Sequence, residues 1–255
     1  MADDWTGRDL GDEATGALRD RAPDPLARID PDAPVSGHRP LPGAGIPAAS
    51  APEHDWTAAR SLVYPMLRPM GTSGAAADIP LDVLRSSALS HTTPLVAEGP
   101  CGLVVSFVLE GAGFEVLVNG EHLVSWGVDA AELAATAGAN LAAWSAQAAW
   151  TDEISGTRRI LSSDTGSGHD AARILLAEAR AHLARELSEG APPGTRVLIG
   201  LPEQDMLLAG TLAPGDDEFG PLFRDFVVEQ SGSSEEPIDR RVFELVDGEL
   251  VEFAG

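Results

Sequence analysis

The residues whose types and spacing best fit a binding or catalytic site lie in a glycine-rich turn. It reads Gly166-Ser167-Gly168-His169-Asp170, and Arg173 follows one helical turn later. Glycines allow backbone amides to approach a ligand closely, and a helix that begins at such a turn attracts anions. His169 would add a titratable hydrogen-bonding group, and Arg173 a fixed positive charge. The pattern predicts a site for a small phosphate or carboxylate ligand.

The same turn also fits a purely structural interpretation. Ser167 stands three residues before Asp170, the spacing of a capping box, so its side chain could cap a helix while the glycines adopt positive φ. Asp205 follows Pro202 at the end of a predicted strand, where it could either join the ligand site or cap the next segment. Both interpretations stay open on the sequence.

Other reactive residue types lack the arrangement that catalysis or metal binding needs. Ser167, His169 and Asp170 are the residue types of a triad, but neighbours in sequence do not give triad geometry, and no Gly-x-Ser-x-Gly elbow is present. The six histidines show no metal-ligand spacing, the single Cys101 excludes a paired-cysteine zinc site, and Asp216–Glu218 lacks calcium-loop spacing. We predict no catalytic residues, no metal and no cofactor, and favour a non-enzymatic protein.

Strands and helices are predicted on both sides of the turn. Arg158–Ser163 predicts a strand before it, and an apolar stripe of helical period predicts a helix over about 168–188. Arg196–Leu201 predicts a strand that Pro202 stops, and Asp205–Leu212 predicts a short helix. These elements would position the turn.

The remaining elements mix helices and strands without strict alternation. Asp129 begins a long helix to about Ala148, with Glu132 at capping-box spacing. The other predicted elements are helices over 58–66, 81–89 and 218–230, strands over 103–109 and 114–118, and a hairpin over 241–253 around Asp247-Gly248. This order predicts a single α+β domain over 56–255, with a mixed, largely antiparallel sheet packed with several helices.

Residues 1–55 differ in composition from the rest. They hold eight of the 19 prolines and 11 acids against five arginines, without hydrophobic periodicity. Such a segment cannot bury enough apolar surface to offset the entropy of ordering it. We predict a disordered, acidic, proline-rich arm.

Composition excludes several classes of function. The 255 residues carry 40 acids and 17 bases, a formal net charge of −23, and every base is an arginine. Without lysine there is no Walker-type phosphate loop, Schiff base or kinase-type phosphoryl transfer. Residues 200–255 alone carry −11, from three arginines and 14 acids. We therefore expect a basic protein as partner, and neither nucleic acid nor a membrane. The acidic N-terminus lacks the positive charge of a signal peptide, so we expect a cytoplasmic protein.

A series of short motifs resembles a known family. Leu123-Val124-Ser125-Trp126-Gly127-Val128 is followed by a helix with Asn140-Leu141, by the run from Gly166 to Leu176, and by Leu201-Pro202-x-x-Asp205-x-Leu207-Leu208. The series, over about residues 95–212, resembles the YtpQ-like family of bacterial proteins of unknown function.

Two positions depart from the pattern of that family. Ala172 replaces a serine at the start of the predicted helix, and Gln204 stands where a basic residue is expected. The resemblance implies a cytosolic bacterial protein, and it assigns no activity and no catalytic residue.

Three functions are compatible with these observations. The first is an interaction protein, an adaptor or chaperone-like module that binds a partner protein through an acidic surface. The second is a protein or enzyme that binds an anionic small molecule at Gly166–Arg173, and the third is an immunity-type inhibitor of a basic toxin. The first needs no motif that the chain lacks, and we expect it.

Overall fold

The structure, a computed structural model, describes residues 51–111 and 114–255. The helices of this part are α1 (Trp56–Ala59), α2 (Leu81–Ser86), α3 (Gly120–Trp126), α4 (Ala130–Ser145), α5 (Ala177–Ser188) and α6 (Phe219–Ser233). Its strands are β1 (Val63–Arg68), β2 (Ala75–Ala76), β3 (Leu95–Glu98), β4 (Val104–Gly111), β5 (Phe114–Leu117), β6 (Thr151–Ser155), β7 (Arg158–Ser163), β8 (Arg196–Glu203), β9 (Met206–Leu212), β10 (Val242–Val246) and β11 (Glu249–Glu252). Two short 3-10 segments span Pro100–Gly102 and Ala171–Leu175.

The first sheet has five strands and is built around β4. β1 pairs with one edge of β4, while β3 and β5 pair with successive parts of the other edge, all antiparallel. β2 adds a short parallel pair to β3. Alternate residues of a strand face the same side of a sheet, so Phe107 and Leu109 share a buried face. α4 packs against β1 and buries Leu133 and Ala137 in the same core cluster.

The second sheet has six antiparallel strands in the order β11-β10-β8-β9-β7-β6. Its strands alternate between two cores. Ile199 and Ala209 belong to the cluster that also contains the first sheet and α5, whereas Leu198 and Leu208 belong to a second cluster beneath α6. α6 lies very close to this sheet, because a Cβ added at Gly200 would meet Val227 at 2.5 Å.

The predicted α+β class is confirmed, with two mostly antiparallel sheets where one was expected. The predicted strand over 158–163 and the helix over 218–230 are present as β7 and α6. Asp129 accepts a hydrogen bond from the Glu132 N–H and caps α4, as its spacing predicted. The C-terminal hairpin turns at Asp247 and Gly248, which both have positive φ, the backbone that the Asp-Gly pair predicts.

The helix predicted over 58–66 is wrong beyond its first residues. α1 ends at Ala59, and Val63–Arg68 is strand β1, in which Pro65 lies opposite Phe107. β1 is an edge strand, where a proline leaves no hydrogen bond of the ladder unmade. Pro65, near the end of the predicted helix, therefore lies inside a strand.

The helix predicted over 205–212 is also wrong, and so is the strand end at Pro202. Met206–Leu212 is strand β9, which is buried on both faces, so its apolar run had no period that could distinguish strand from helix. β8 continues to Glu203, because a register shift between Gly200 and Glu203 accommodates the proline.

The predicted arm falls largely outside the described residues. Residues 51–55, which the sequence prediction assigned to it, contact α3. The Trp126 indole N–H donates to the Pro52 carbonyl at 2.7 Å, and the His54 ring lies 3.3 Å from the Ser125 hydroxyl. The packed part of the chain therefore begins before Trp56.

A histidine closes the capping box of α3. The Asn119 side chain accepts from the His122 N–H at 3.2 Å, and His122 Nδ1 accepts from the Asn119 N–H at 3.1 Å. Burial is the main factor that lowers the pKa of His122, Glu53 raises it and His54 lowers it further. A neutral Nδ1 is also what the capping hydrogen bond requires.

We predict that acidification destabilises the protein through His122. Because the folded-state pKa lies below the unfolded value of about 6.5, this stability is complete above about pH 6.5. It is lost as the pH falls from there through the lower folded-state pKa. His122→Gln keeps a capping acceptor at the same helix position without a titrating group. Urea unfolding at about pH 7.5 and about pH 5.5 should show a smaller pH-dependent loss for the variant, and an equal loss would contradict the prediction.

Candidate functional site

A buried carboxylate organises the glycine-rich turn. Asp170 is fully buried and accepts hydrogen bonds from the Ser163 hydroxyl, from the Thr165 N–H at 3.1 Å and from the Thr165 hydroxyl at 2.7 Å. These donors fix the chain between the end of β7 and the 3-10 segment. The triad interpretation gains no support, because the Asp170 carboxylate bonds this loop.

Arg173 lies beneath the turn and is closed off from solvent, with 1% of its surface exposed. It donates to the Ser145 hydroxyl at 3.0 Å, the Ser145 carbonyl at 3.1 Å and the Ser163 hydroxyl at 2.7 Å, and its guanidinium lies 3.7 Å above the ring centre of Trp150. Burial lowers its pKa to about 10, against the opposing effect of Asp170. Arg173 is therefore still charged at neutral pH.

The guanidinium also closes the end of α4. Besides Ser145, it reaches the carbonyls of Ala148 and Ala149, each at 3.3 Å. Carbonyls at a helix C-terminus have no partners within the helix, and a cation placed there satisfies them. The positive charge of Arg173, which the sequence pattern assigned to a ligand site, is therefore bound by carbonyl groups of the protein itself.

His169 is equally enclosed. Its ring stacks on Tyr64 with ring centres 4.2 Å apart, and meets the edge of Trp144 at 5.2 Å. Its Nε2 lies 3.3 Å from a carboxylate oxygen of Glu110. Burial and the nearby Glu110 raise the pKa of Tyr64. The histidine therefore joins the turn to β1 and β4, and only 5% of its surface is exposed.

The glycines of the turn have the backbone that the sequence predicted. Gly166 and Gly168 have φ of 68° and 78°, and the Gly168 N–H donates to the Asp205 carboxylate. Asp205 thus binds the turn and does not cap a helix, since the segment after it is a strand. The Ser167 hydroxyl lies 2.8 Å from that of Thr165.

No helix begins at the turn, although the structure brings all six residues predicted to bind a ligand into one cluster: Gly166, Ser167, Gly168, His169, Arg173 and Asp205. The five-residue 3-10 segment Ala171–Leu175 follows the turn, and α5 begins only at Ala177. The helix predicted over 168–188 is therefore confirmed from Ala177 to Ser188, whereas its first nine residues and the Ser167 capping box are wrong. The reason is that the Asp170 and Arg173 side chains point into the interior and hold this stretch as a separate turn.

A second feature is an apolar groove that the sequence did not single out. Ile160 of β7 and Met206 and Leu208 of β9 form its floor, and Leu222 and Phe226 of α6 form one wall. We call these five residues the α6 groove. It has an open volume of about 530 Å³, with 54% of Leu222 and 43% of Phe226 exposed.

The groove exists because one helix cannot cover this sheet. Six strands spaced about 4.8 Å apart are about 24 Å wide, whereas a helix with its side chains is about 10 Å across. α6 packs on β8, β9 and β10, so the strip over β7 and β6 beside it is open. All five residues of edge strand β6 are exposed.

The sequence contained a signal for the groove. The sequence of the helix predicted over 218–230 places apolar residues on one side, and the structure buries only three of the five: Phe219, Phe223 and Val227 are buried, and Leu222 and Phe226 are exposed. Leu222 lies about 140° around the helix from Val227, which is more than one packed face requires. A stripe that wide indicates a second apolar contact.

Two carboxylates line the α6 groove, and a third lies near it on α6. Glu153 and Asp164 line its sheet side, and Glu229 lies on α6 about 20° around the helix from Leu222. All three are exposed, and none forms an ion pair within the described part of the chain. Arg158 also lines the groove, but Asp216 holds its guanidinium through two hydrogen bonds of 2.6 and 2.7 Å.

Among residues 51–111 and 114–255, no group of three His, Cys, Asp or Glu side chains could hold a metal ion. None of the described helices is long and apolar enough to cross a membrane. A comparison with known protein families, curated proteins and solved structures found no match.

We predict that Arg173→Ala lowers the free energy of unfolding by about 3–5 kcal/mol, because it leaves buried acceptors and a buried carboxylate uncompensated. Arg173→Lys, which keeps the charge but not the planar fork, should cost less. Arg185→Ala is the control, since the Arg185 side chain is 66% exposed. Urea denaturation measures all three. A loss below about 1 kcal/mol for Arg173→Ala would show that the network is not what holds the turn.

Proposed function

We propose that this chain is a non-enzymatic interaction protein that binds a partner protein in the α6 groove. The supporting observation is the exposure of Leu222 and Phe226 beside the half-buried Ile160 and Met206. Contiguous exposed apolar side chains with a polar rim are typical of protein interaction sites. A partner that covered them would remove this surface from water, which is favourable.

The anionic-ligand hypothesis has less support. It requires the charge of Arg173, which the protein uses for its own carbonyls and for Ser163. The pocket above the turn, about 540 Å³ between Tyr64, Trp144 and Ser167, has no cationic side chain in its lining. An anion there would meet no compensating charge.

The immunity-type inhibitor and the YtpQ-like resemblance are the two remaining expectations from the sequence. An immunity-type inhibitor would be one case of a protein that binds a basic partner, and no further observation favours it. Membership of the YtpQ-like family is supported by the motif series in residues 95–212 alone. It assigns no function to the groove.

Site-specific photo-cross-linking tests the proposal. A benzophenone amino acid at position 222 of the full chain, produced in its native cells, should give a discrete adduct with another protein, identified by mass spectrometry. The control is position 228, because Val228 is 41% exposed but lies about 120° around α6 from Leu222.

The two positions separate the outcomes. An adduct at 222 and none at 228 is the expected result, and Phe226→Ser in the same chain should abolish it. No adduct at either position, or the same adduct at both, would contradict partner binding in the groove.

A further inference from the structure

We propose that the occupant of the α6 groove is a basic amphipathic helix of a partner protein. This inference rests on the proposed function and specifies the class of segment that binds. Three properties of the groove lead to it: its width, the arrangement of its apolar residues and the sign of its charge.

The width of the groove matches one helix. The open strip lies beside α6 over β7 and the edge strand β6, and β9 forms its inner margin. Two strand spacings and the margin beyond β6 give about 10 Å or slightly more, which is the diameter of a helix with its side chains. A helix bound there would lie beside α6 on the same face and complete the second layer of the sheet.

The apolar residues of the groove suit a helical stripe. Leu222 and Phe226 are one turn apart on α6, so their side chains form a ridge along one side of the groove. Ile160, Met206 and Leu208 form the apolar part of the floor below this ridge, and Ser162 lies opposite Leu208. A helix with apolar residues at i, i+3, i+4 and i+7 would contact the ridge and the floor together. Methionine in the floor can adapt to different side chains.

The charge around the groove selects a basic partner. Glu153 and Asp164 line the sheet side of the groove, and Glu229 lies on α6 just outside the lining, so an occupant meets two lining carboxylates and passes near a third. Arg158 offers no free charge to attract acids, because it is paired with Asp216. Lysines or arginines on the polar face of a bound helix would meet these carboxylates, which speeds association and fixes orientation.

The charge of the groove also disfavours two other occupants, a second copy of this chain and its own N-terminal segment. A second copy of this chain, with a net charge of −23, would bring two sets of groove carboxylates together. Residues 1–50 carry nine acids and five arginines, so they also have the same sign as the groove. A basic segment of another protein is the occupant that these charges favour.

A designed peptide tests the inference. The probe has about 18 residues, leucine at i, i+3, i+4 and i+7 and lysine at most other positions, with a fluorescent label. Its anisotropy is titrated with the full chain at about 0.05 M and about 0.5 M salt. We expect saturable binding that weakens with salt, and about tenfold weaker binding to Leu222→Ser or Phe226→Ser. Val228→Ser is the matched apolar control and should bind as the unchanged chain does.

The charge contribution is tested with two triple variants of equal net charge. Glu153→Gln, Asp164→Asn and Glu229→Gln together should weaken binding and reduce its salt dependence. Asp82→Asn, Glu98→Gln and Glu178→Gln together remove three exposed acids that do not line the groove, and should leave binding unchanged. A peptide of the same composition in shuffled order, without the stripe, should bind weakly.

Several results would overturn the inference. Equal loss in both triple variants, or equal binding of the shuffled peptide, would show general attraction to an acidic protein. A dimer in sedimentation that Phe226→Ser dissociates would identify a second copy as the occupant. If position 222 cross-links to a partner while the peptide does not bind, or if the cross-linked segment is not a basic helix, the partner class is wrong and the proposed function stands. The absence of an adduct at position 222 rejects the proposed function, and this inference with it.

Discussion

The buried guanidinium of Arg173 is the interaction on which the arrangement of the two sheets depends. It bonds the end of α4, which packs against the first sheet, and Ser163, which ends β7 in the second sheet. Through Ser163 it is linked to Asp170, whose carboxylate holds the loop in between. A charge in the interior is costly unless every donor is used and a counter-charge is near, and this site provides both. His169 adds an aromatic contact to β1 in the same region.

The sequence predicted those elements whose local pattern and tertiary environment agree. Two features depend on local sequence alone, the Asp129 cap of α4 and the Asp247-Gly248 turn, and both are present. The hydrophobic pattern predicted the wrong element where burial on all sides removes the difference between a helix and a strand. Met206–Leu212 is apolar on every side because the sheet is covered on both faces there, so the period that separates strand from helix is missing. The pattern also failed at Pro65 and Pro202, since an edge strand and a bulge can each hold a proline.

At the candidate site, too, the sequence could not show contacts between residues that are far apart in the chain. A glycine-rich turn followed by an arginine is typical of an anion site, and the sequence grouped the right residues. It could not show where the arginine points, because Ser145, Ala148, Ala149 and Trp150 lie more than 20 residues away in the chain. The acidic C-terminal quarter is a similar case. Asp216, Asp239 and Glu244 are paired with arginines, so part of its negative charge is compensated internally, while Glu229 is left beside apolar surface.

The position of Arg173 between two indoles has an optical consequence. Its guanidinium lies 3.7 Å above Trp150 and 5.8 Å from the ring centre of Trp144, so two of the five tryptophans surround the charge that joins the sheets. Indole emission responds to a nearby fixed charge and to the entry of water. Separation of the sheets would free both rings from the guanidinium at once and let water reach them. The native chain therefore carries two tryptophans that report on the junction between the sheets.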